Sequence, residues 1–182
     1  MTPTQTLTSA RVGTWTLDPV HSTIGFEVEY LVGTFRGQFR QFDGKLVVHD
    51  DGRAMLEGSA RVASVDVKDE QLAGHLQTPD FFDAERHPEL AFRADGIDVS
   101  GREIRAHGAI TIKGVTKPIE FAGTITPPAP DPYGRERIGA VVTAKVDRTE
   151  FGVSWNTPLP NGDQALANEV TINAELFFIK AD

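Results

Sequence analysis

His21-Ser22-Thr23-Ile24-Gly25-Phe26-Glu27-Val28-Glu29-Tyr30 is the stretch of sequence that decides the fold class. From Ile24 onward every second side chain is large and apolar, while glycine or glutamate fills the positions between them. Successive side chains of a β-strand point to opposite faces, so this alternation is typical of a strand with one buried and one solvated face. The stretch therefore predicts a β-strand.

The same alternation recurs along most of the chain. Further runs occupy residues 35–39, 56–62, 90–99, 104–112, 119–125, 138–146 and 170–178. Turn sequences such as Ser100-Gly101 and Lys113-Gly114 separate neighbouring runs, which favours hairpins and antiparallel pairing. About eight antiparallel strands can close into a barrel that holds one small ligand. We therefore predict a mainly β fold, a single extended antiparallel β-barrel of about eight strands.

Residues 67–88 interrupt this strand pattern. Leu72 and Leu76 are spaced as on one face of a helix and predict a short helical insert. Thr78-Pro79-Asp80 is typical of a second helix start, which introduces two apolar rings, Phe81 and Phe82. All four apolar side chains are expected to cover one end of the barrel.

A second irregular stretch, residues 156–168, contains two prolines and a glycine. It is predicted to be a mobile loop, since long loops in compact domains are often functional lids. Trp155 lies directly before it. We expect this ring to guard the barrel mouth opposite the helical insert.

The composition bounds the classes of function. The 182 residues favour one domain, placed at 13–182 after a flexible N-terminal segment at 1–12. The 18 basic and 26 acidic residues give a net charge of −8, which argues against a nucleic-acid partner. The absence of cysteine excludes a disulfide framework, a thiolate zinc site and a cysteine nucleophile. No stretch approaches the roughly 18 apolar residues of a membrane span, and no secretory signal pattern is present, so we expect a cytoplasmic protein without stable membrane insertion.

Small residues share the apolar face of the strands with the large ones. Because unfilled volume destabilises a solid core, they indicate either a cavity for a lipid-like ligand or a tapered barrel in which small and large residues interlock. The aromatic rings that would line such a cavity are Phe26, Phe35, Phe39, Phe92 and Phe121. The small residues are Gly37, Gly58, Ala60, Ala106, Gly108, Gly123, Ala140, Ala144 and Ala174.

Four segments of the chain resemble the YceI-like family in the family's order. They are 15–26 (WTLDPVHSTIGF), 80–83 (DFFD), 112–118 (IKGVTKP) and 147–153 (DRTEFGV). The resemblance implies an extended lipocalin-like barrel, with a short helical insert, that binds polyisoprenoids or other long-chain amphiphiles in an apolar pore. It also makes a homodimer plausible. Tyr30 stands where members often have a histidine, and its phenol can still donate one hydrogen bond.

The candidate ligand-binding residues come from the inward face of the strands, from the helical insert and from two positions near the end of the chain. They are Phe26, Val28, Tyr30, Phe35, Phe39, Leu72, Leu76, Phe81, Phe82, Phe92, Ile110, Phe121, Val142, Arg148 and Trp155.

Three basic residues are candidates for contact with the head group of a lipid ligand. Arg148 continues the apolar face of its strand, so its charge must either join a structural ion pair or contact a ligand head group. Lys113 and Lys117 bracket a tight hairpin. They are either charges of a solvated turn that discourage edge-to-edge association or contacts for an anionic head group at the barrel mouth.

The polar residues supply no recognisable catalytic or metal site. No histidine pair has the spacing of a zinc motif. His21, Ser22 and Asp18 lie too close in sequence to form a triad, and we expect His21 and Asp18 to fix the entry of the strand by local hydrogen bonds. We therefore predict no catalytic residue and no cofactor, but non-enzymatic binding, storage or transport of a long-chain isoprenoid or similar lipid. An enzyme acting on such a lipid and an interaction module with a packed core are the alternatives.

Overall fold

The computed structural model of the protein describes residues 11–181. The flexible segment predicted at 1–12 lies outside the described residues except for Arg11 and Val12. The helix α1 spans Glu70–Leu76. The strands are β1 (Gly13–Leu17), β2 (Thr23–Tyr30), β3 (Gly33–Phe39), β4 (Phe42–Val48), β5 (Ala54–Arg61), β6 (Val65–Asp66), β7 (Glu89–Ser100), β8 (Glu103–Ile112), β9 (Val115–Ile125), β10 (Ala129–Pro130), β11 (Glu136–Asp147) and β12 (Leu166–Lys180).

Three strands of the barrel are bent, and each of them consists of two of the strands named above. β1 and β2 both pair antiparallel with β12, Trp15 lying opposite Lys180 and Ile24 opposite Ala174. β3 and β4 form a second bent strand along β2 and β1. β5 and β6 form a third, joined by a short 3₁₀ turn at Val62–Ser64.

The barrel is a meander in which each bent or straight strand pairs with the next along the chain. β12 closes the ring, because it pairs with β11 on one side and with β1 and β2 on the other. The result is a closed antiparallel barrel of eight strands with one short helix among the described residues. The prediction of fold class, strand number and helical insert is confirmed.

The alternation of apolar residues did not predict the strands β1 and β4, and the reasons are local. β1 has only five residues, and a turn at 18–22 separates it from β2. In β4 a glycine occupies an inward position, and the adjacent pair Val47 and Val48 blurs the alternation. Neither β1 nor β4 therefore shows a clear alternation in its sequence, although the hydrogen bonds of the sheet make each of them part of a long barrel strand.

The stretch 156–168, predicted as a mobile loop, is a hydrogen-bonded hairpin whose last residues belong to β12. The Asn156 side chain accepts from the Leu166 amide at 2.9 Å and donates to the Leu166 carbonyl at 2.7 Å. The Ala165 amide donates to the Thr157 carbonyl at 2.9 Å. The prolines therefore shape a turn rather than an irregular excursion.

One end of the barrel is closed by a packed plug of side chains. The Trp15 ring is fully buried, and its Nε1–H donates to the Arg11 carbonyl at 2.8 Å. Val48, Val99 and Ile138 are almost as deeply buried at the same end, where β4 and β7 finish and β11 begins. At the opposite end β2 and β11 finish, and the insert with α1 covers the opening.

Candidate ligand-binding cavity

A cavity of about 360 Å³ lies inside the barrel, between the Trp15 plug and the insert. This volume falls at the lower end of the roughly 300–1,000 Å³ typical of small-molecule sites. Its wall is almost entirely apolar. It includes every residue that the sequence assigned to ligand binding: Phe26, Val28, Tyr30, Phe35, Phe39, Leu72, Leu76, Phe81, Phe82, Phe92, Ile110, Phe121, Val142, Arg148 and Trp155.

A cluster of phenylalanine rings forms one side of this wall. The centre of the Phe26 ring lies 6.2 Å from that of Phe35, 5.8 Å from that of Phe39 and 6.3 Å from that of Phe82. Phe82 meets Phe39 edge to face at 5.8 Å. Such tilted and edge-on contacts are the favoured geometry of aromatic pairs. They bind the insert, which carries Phe82, to the hairpin of β2 and β3.

The insert holds its shape through local hydrogen bonds. Asp69 caps α1, because its carboxylate accepts from the Leu72 amide at 3.0 Å. The prediction of a second helix start at Thr78 is wrong. The Thr78 hydroxyl donates to the His75 carbonyl at 2.7 Å and so closes the preceding helix, after which the chain continues in turns.

Trp155 lies at the same end of the barrel as the insert, so its predicted place at the opposite mouth is wrong. Its ring centre is 5.4 Å from that of Phe81 and 5.2 Å from that of His75. The His75 Nε2 in turn contacts Asp80 Oδ2 at 2.9 Å. Sequence reasoning missed His75 as a wall residue, although its position three residues after Leu72 on α1 places it on the same helical face.

The small inward residues serve three different purposes. Gly37 makes room for a ring, since a Cβ there would approach the Phe26 Cζ to 2.5 Å. Gly108 and Gly123 allow close approach of neighbouring backbones, because a Cβ would overlap the carbonyl oxygens of the adjacent strands. The residues that leave space in the cavity wall are Gly58, Ala60, Ala106, Ala140 and Ala174.

The inward glycine that pairs with Gly58 was missed by the sequence analysis. Gly44 of β4 lies opposite Gly58 of β5, and both line the cavity. The nearest atoms to a Cβ at Gly58 belong to the backbone of β4. A Cβ at Gly44 would approach Cδ2 of Leu17 to 3.0 Å, so this glycine makes room for the Leu17 side chain. The alternation of Phe42, Gly44 and Leu46 carries the signal that could have revealed this position.

Tyr30 marks the exposed rim of the cavity. It lines the wall and is 42% exposed, and the next two residues of the β2–β3 turn, Leu31 and Val32, are more exposed still. The Leu31 amide donates to the Ala165 carbonyl at 3.0 Å, which fixes this turn against the hairpin at 156–165. The rim, the insert and Trp155 therefore lie at one end of the barrel.

Arg148 is the buried cation of the cavity wall, with 6% of its surface exposed. Its Nε donates to the Ala167 carbonyl at 2.8 Å, and its Nη1 to those of Val153 and Trp155 at 2.7 and 2.9 Å. Its Nη2 donates to the Leu166 carbonyl at 3.4 Å. The alternative of a structural ion pair is wrong within residues 11–181, because carbonyl oxygens hold the guanidinium there.

The two lysines of the β8–β9 hairpin have different surroundings. Lys113 and Gly114 have φ angles of 52° and 76°, which is the geometry of a two-residue type I′ turn. The Lys113 Nζ donates to the carbonyls of Pro79 and Gly152, at 2.5 and 3.1 Å. Lys113 therefore ties the hairpin to the insert and does not belong to the cavity wall. Lys117 lies exposed on β9 and away from the cavity wall.

His21 and Asp18 form a polar cluster outside the cavity. The His21 Nδ1 lies 2.7 Å from Asp18 Oδ2, and the Val20 amide donates to Asp18 Oδ1 at 2.9 Å. The Ser22 hydroxyl accepts from the Phe177 amide at 2.9 Å. The expected local fixing of the strand entry is confirmed, and Ser22 is turned to the backbone of β12.

Arg137 completes this cluster and was missed. Its Nη1 lies 2.8 Å from Asp18 Oδ2 and its Nε 2.9 Å from Asp131 Oδ2. Burial works to raise the pKa of Asp18, but hydrogen bonds from Arg137, His21 and the Val20 amide outweigh it and hold this pKa well below the usual range. The same balance, with Arg137 and two backbone amides as donors, lowers the pKa of Asp131 to about 2.

Neither a metal-binding cluster nor a membrane-spanning helix occurs within residues 11–181. These residues contain no group of three or more His, Cys, Asp or Glu side chains placed to hold a metal ion. The helices within this range are also too short or too polar to cross a membrane.

Comparison with known proteins relates both the sequence and the fold to one family. The model of the YceI-like domain matches residues 15–178. A UPF0312 protein of Staphylococcus epidermidis is 30% identical over 168 residues, which are 88% of this chain and 94% of that protein.

Two solved structures share the fold. BcnA of Burkholderia cenocepacia has 21% sequence identity and a TM-score of 0.73, covering 88% of this chain and 98% of that one. A polyisoprenoid binding domain from Saccharophagus degradans, implicated in plant cell wall breakdown, has 13% identity and a TM-score of 0.68, covering 92% and 98%. With a family model spanning nearly the whole barrel, this chain belongs to the YceI-like domain family.

Proposed function

We propose that the protein binds a long-chain isoprenoid or a similar amphiphilic lipid inside its barrel, for storage or transport and without catalysis. The observation that carries this proposal is the 360 Å³ cavity with an almost entirely apolar wall in a closed barrel. A packed interaction module would have filled this volume, since empty space destabilises a core. The description of the Saccharophagus structure as a polyisoprenoid binding domain supports the ligand class.

The affinity would come from burial of the chain. Each CH₂ group removed from water contributes roughly 0.8 kcal/mol, so a long chain needs few polar contacts. The rings around Phe26 line an apolar space whose wall offers no regular pattern of hydrogen-bonding groups. Such a wall selects its ligand by length and width.

The cavity wall of the described chain has few polar side chains that could act in catalysis. Its polar side chains are Tyr30, His75 and Arg148 at the rim end, with exposed Asp43 and Glu57 and the half-buried Ser59 on the β4–β5 side. Each of His75 and Arg148 is engaged by neighbours, Asp80 and backbone carbonyls respectively. No nucleophile, base and acid converge among the wall residues of the described chain, which favours binding over turnover.

The test is a chain-length series on protein stripped of lipid. Geraniol, farnesol and geranylgeraniol compete with a fluorescent polyprenyl probe, and affinity should rise with length until the cavity is full and then level off. Organic extracts of the purified protein, analysed by mass spectrometry, should contain a long-chain lipid. Clean extracts together with no probe uptake would overturn the proposal.

Two accompanying predictions remain open. We expect the cytoplasm as the location and a homodimer as a plausible assembly, both from the sequence. Light scattering of the purified protein measures the assembly, and fractionation of cells that express the native gene measures the location.

A further inference from the structure

We propose that the protein docks reversibly on a lipid bilayer through uncharged turns at the open rim of its barrel, so that its ligand passes directly between bilayer and cavity. This inference rests on the proposed lipid-binding function and adds the surface from which the lipid would be taken. It starts from the β2–β3 turn, whose two central residues, Leu31 and Val32, are apolar and exposed.

The β2–β3 turn departs from ordinary turn chemistry at both central residues. Leu31 has a φ angle of 52°, a left-handed conformation that favours glycine or asparagine over a bulky apolar residue. Val32 is fully exposed, although two-residue hairpin turns normally carry glycine or polar residues. The β8–β9 turn follows that rule with Lys113 and Gly114. Since neither Leu31 nor Val32 belongs to the hydrophobic core, their apolar side chains point to a use outside the fold.

A second uncharged turn adjoins the first. The Leu31 amide donates to the Ala165 carbonyl at 3.0 Å, which joins the β2–β3 turn to the hairpin at 156–165. The tip of that hairpin carries two exposed prolines. Residues 30–34 and 157–162 contain no charged side chain, although charged residues make up 24% of the chain. Single exposed apolar residues are common on protein surfaces, but two adjoining uncharged turns form a patch, and such patches indicate a binding partner.

The patch is continuous with the rim of the cavity. Tyr30, the residue before the turn, lines the cavity and is itself exposed. Tyrosine is enriched at membrane–water interfaces, because its ring is apolar and its hydroxyl is polar. A lipid that leaves a bilayer beside this rim would enter the barrel without exposing its whole chain to water, which is the costly step for a long chain. The position of the patch therefore fits a lipid surface.

The size and the charge of the patch favour a bilayer over a protein partner. A stable protein interface involves roughly 20–30 residues of each partner, far more than two short turns supply. Insertion into a bilayer has no such minimum, because its strength follows the apolar area that enters, and Val32 projects fully from the surface. The two turns carry no cation, and the net charge of −8 opposes anionic lipids. The contact should therefore depend on apolar insertion.

The first test uses the absence of cysteine, which allows one environment-sensitive dye at a chosen position. Val32→Cys carries the dye at the proposed contact, and Val20→Cys, at an exposed valine of the turn before β2, is the matched control. Phosphatidylcholine vesicles should shift the emission of the dye at position 32 to shorter wavelength and leave that at position 20 unchanged. Phosphatidylglycerol vesicles at low salt should give a smaller shift.

Three results of this labelling experiment would overturn the inference. The first is no response, or the same response, at the two positions. The second is a larger shift with phosphatidylglycerol, which would indicate electrostatic attraction in place of apolar insertion. The third is a shift at position 32 that follows protein concentration without vesicles, because the patch would then bind a second copy of the chain.

Unlabelled variants test the same contact. Asparagine tolerates the left-handed conformation, so Leu31→Asn should be at least as stable as wild type. Leu31→Asn and Val32→Asn should each lower the partition coefficient onto phosphatidylcholine vesicles, measured by flotation, by about fivefold. Val20→Asn should leave it unchanged. Folded variants of the β2–β3 turn that float like wild type contradict the inference.

Transfer of a fluorescent polyprenyl probe separates this inference from the proposed function. Neither Leu31 nor Val32 lines the cavity, so both asparagine variants should bind the probe in water as tightly as wild type. Transfer of the probe from vesicles to these variants should slow by about the factor by which flotation weakens. Normal probe binding without vesicle contact would overturn the docking and leave the proposed function standing. Vesicle contact without probe binding would support the docking and overturn the proposed function.

Discussion

Ala106→Leu distinguishes an open cavity from a packed core by the sign of its effect on stability. Ala106 is 3% exposed, lies on β8 between Ile97 and Phe121, and forms part of the cavity wall. Leucine adds three carbon groups at about 0.8 kcal/mol each, so filling the cavity stabilises the empty protein by up to about 2.4 kcal/mol. In a close-packed interior the same change costs roughly 1–3 kcal/mol, because side chains and backbone must move.

The two outcomes are far apart in a thermal melt. For a domain of this size each kcal/mol shifts Tm by about 2–4 °C, so the expected gain is roughly 5–10 °C in protein stripped of lipid. The added side chain occupies space that the ligand needs, so probe affinity should fall by up to about 60-fold, the same 2.4 kcal/mol converted to a binding ratio.

The control is Ala122→Leu, the same substitution on the exposed outer face of β9. It should change neither the melt nor the probe affinity beyond a small surface effect. A destabilised Ala106→Leu protein that binds the probe as tightly as wild type would refute an open cavity at this position. The ligand would then have to bind elsewhere.

Three further predictions concern the frame around the cavity. Trp15→Ala should cost about 3–5 kcal/mol in urea unfolding, since a fully buried ring is lost from the closed end. Asp18→Asn should be less stable than wild type at neutral pH. Because folding lowers the pKa of Asp18, this advantage of the wild type should shrink as the pH falls below the ordinary value of 3.8, as measured by urea midpoints across the acid range. Lys113→Met should speed amide hydrogen exchange in the insert at 78–87, because two carbonyl contacts are lost, while Lys117→Met, its exposed neighbour, leaves exchange unchanged.

The sequence was sufficient for the parts of the fold that follow from alternation. The alternation of apolar and polar residues predicted which side chains point inward. It was enough to assign residues as distant in the chain as Phe26 and Val142 to the same cavity wall. Strand halves such as β1 could not be found this way. Their place is fixed by hydrogen bonds to β12, a partner more than a hundred residues away in the chain.

Side-chain partners were beyond the reach of the sequence for a related reason. The acceptors of Arg148 are backbone carbonyls, which every residue has, so no residue type marks them. Lys113 likewise reaches the carbonyl of Pro79, 34 positions away. Inward glycines showed the same limit: Gly58 lines the cavity, whereas Gly123 lets two backbones meet outside its wall, and the sequence does not distinguish the two.

The two ends of the barrel together give the cavity a direction. The Trp15 end is apolar and closed, and the rim end carries Tyr30, His75 and Arg148. An amphiphile bound in this cavity should point its tail at Trp15, because the reverse orientation would bury the head group among apolar side chains without partners. The closed Trp15 end should then limit the length of the tail. In this orientation the head group and the end of the tail would contact opposite ends of the barrel, so variants at one end should leave the selectivity set by the other unchanged.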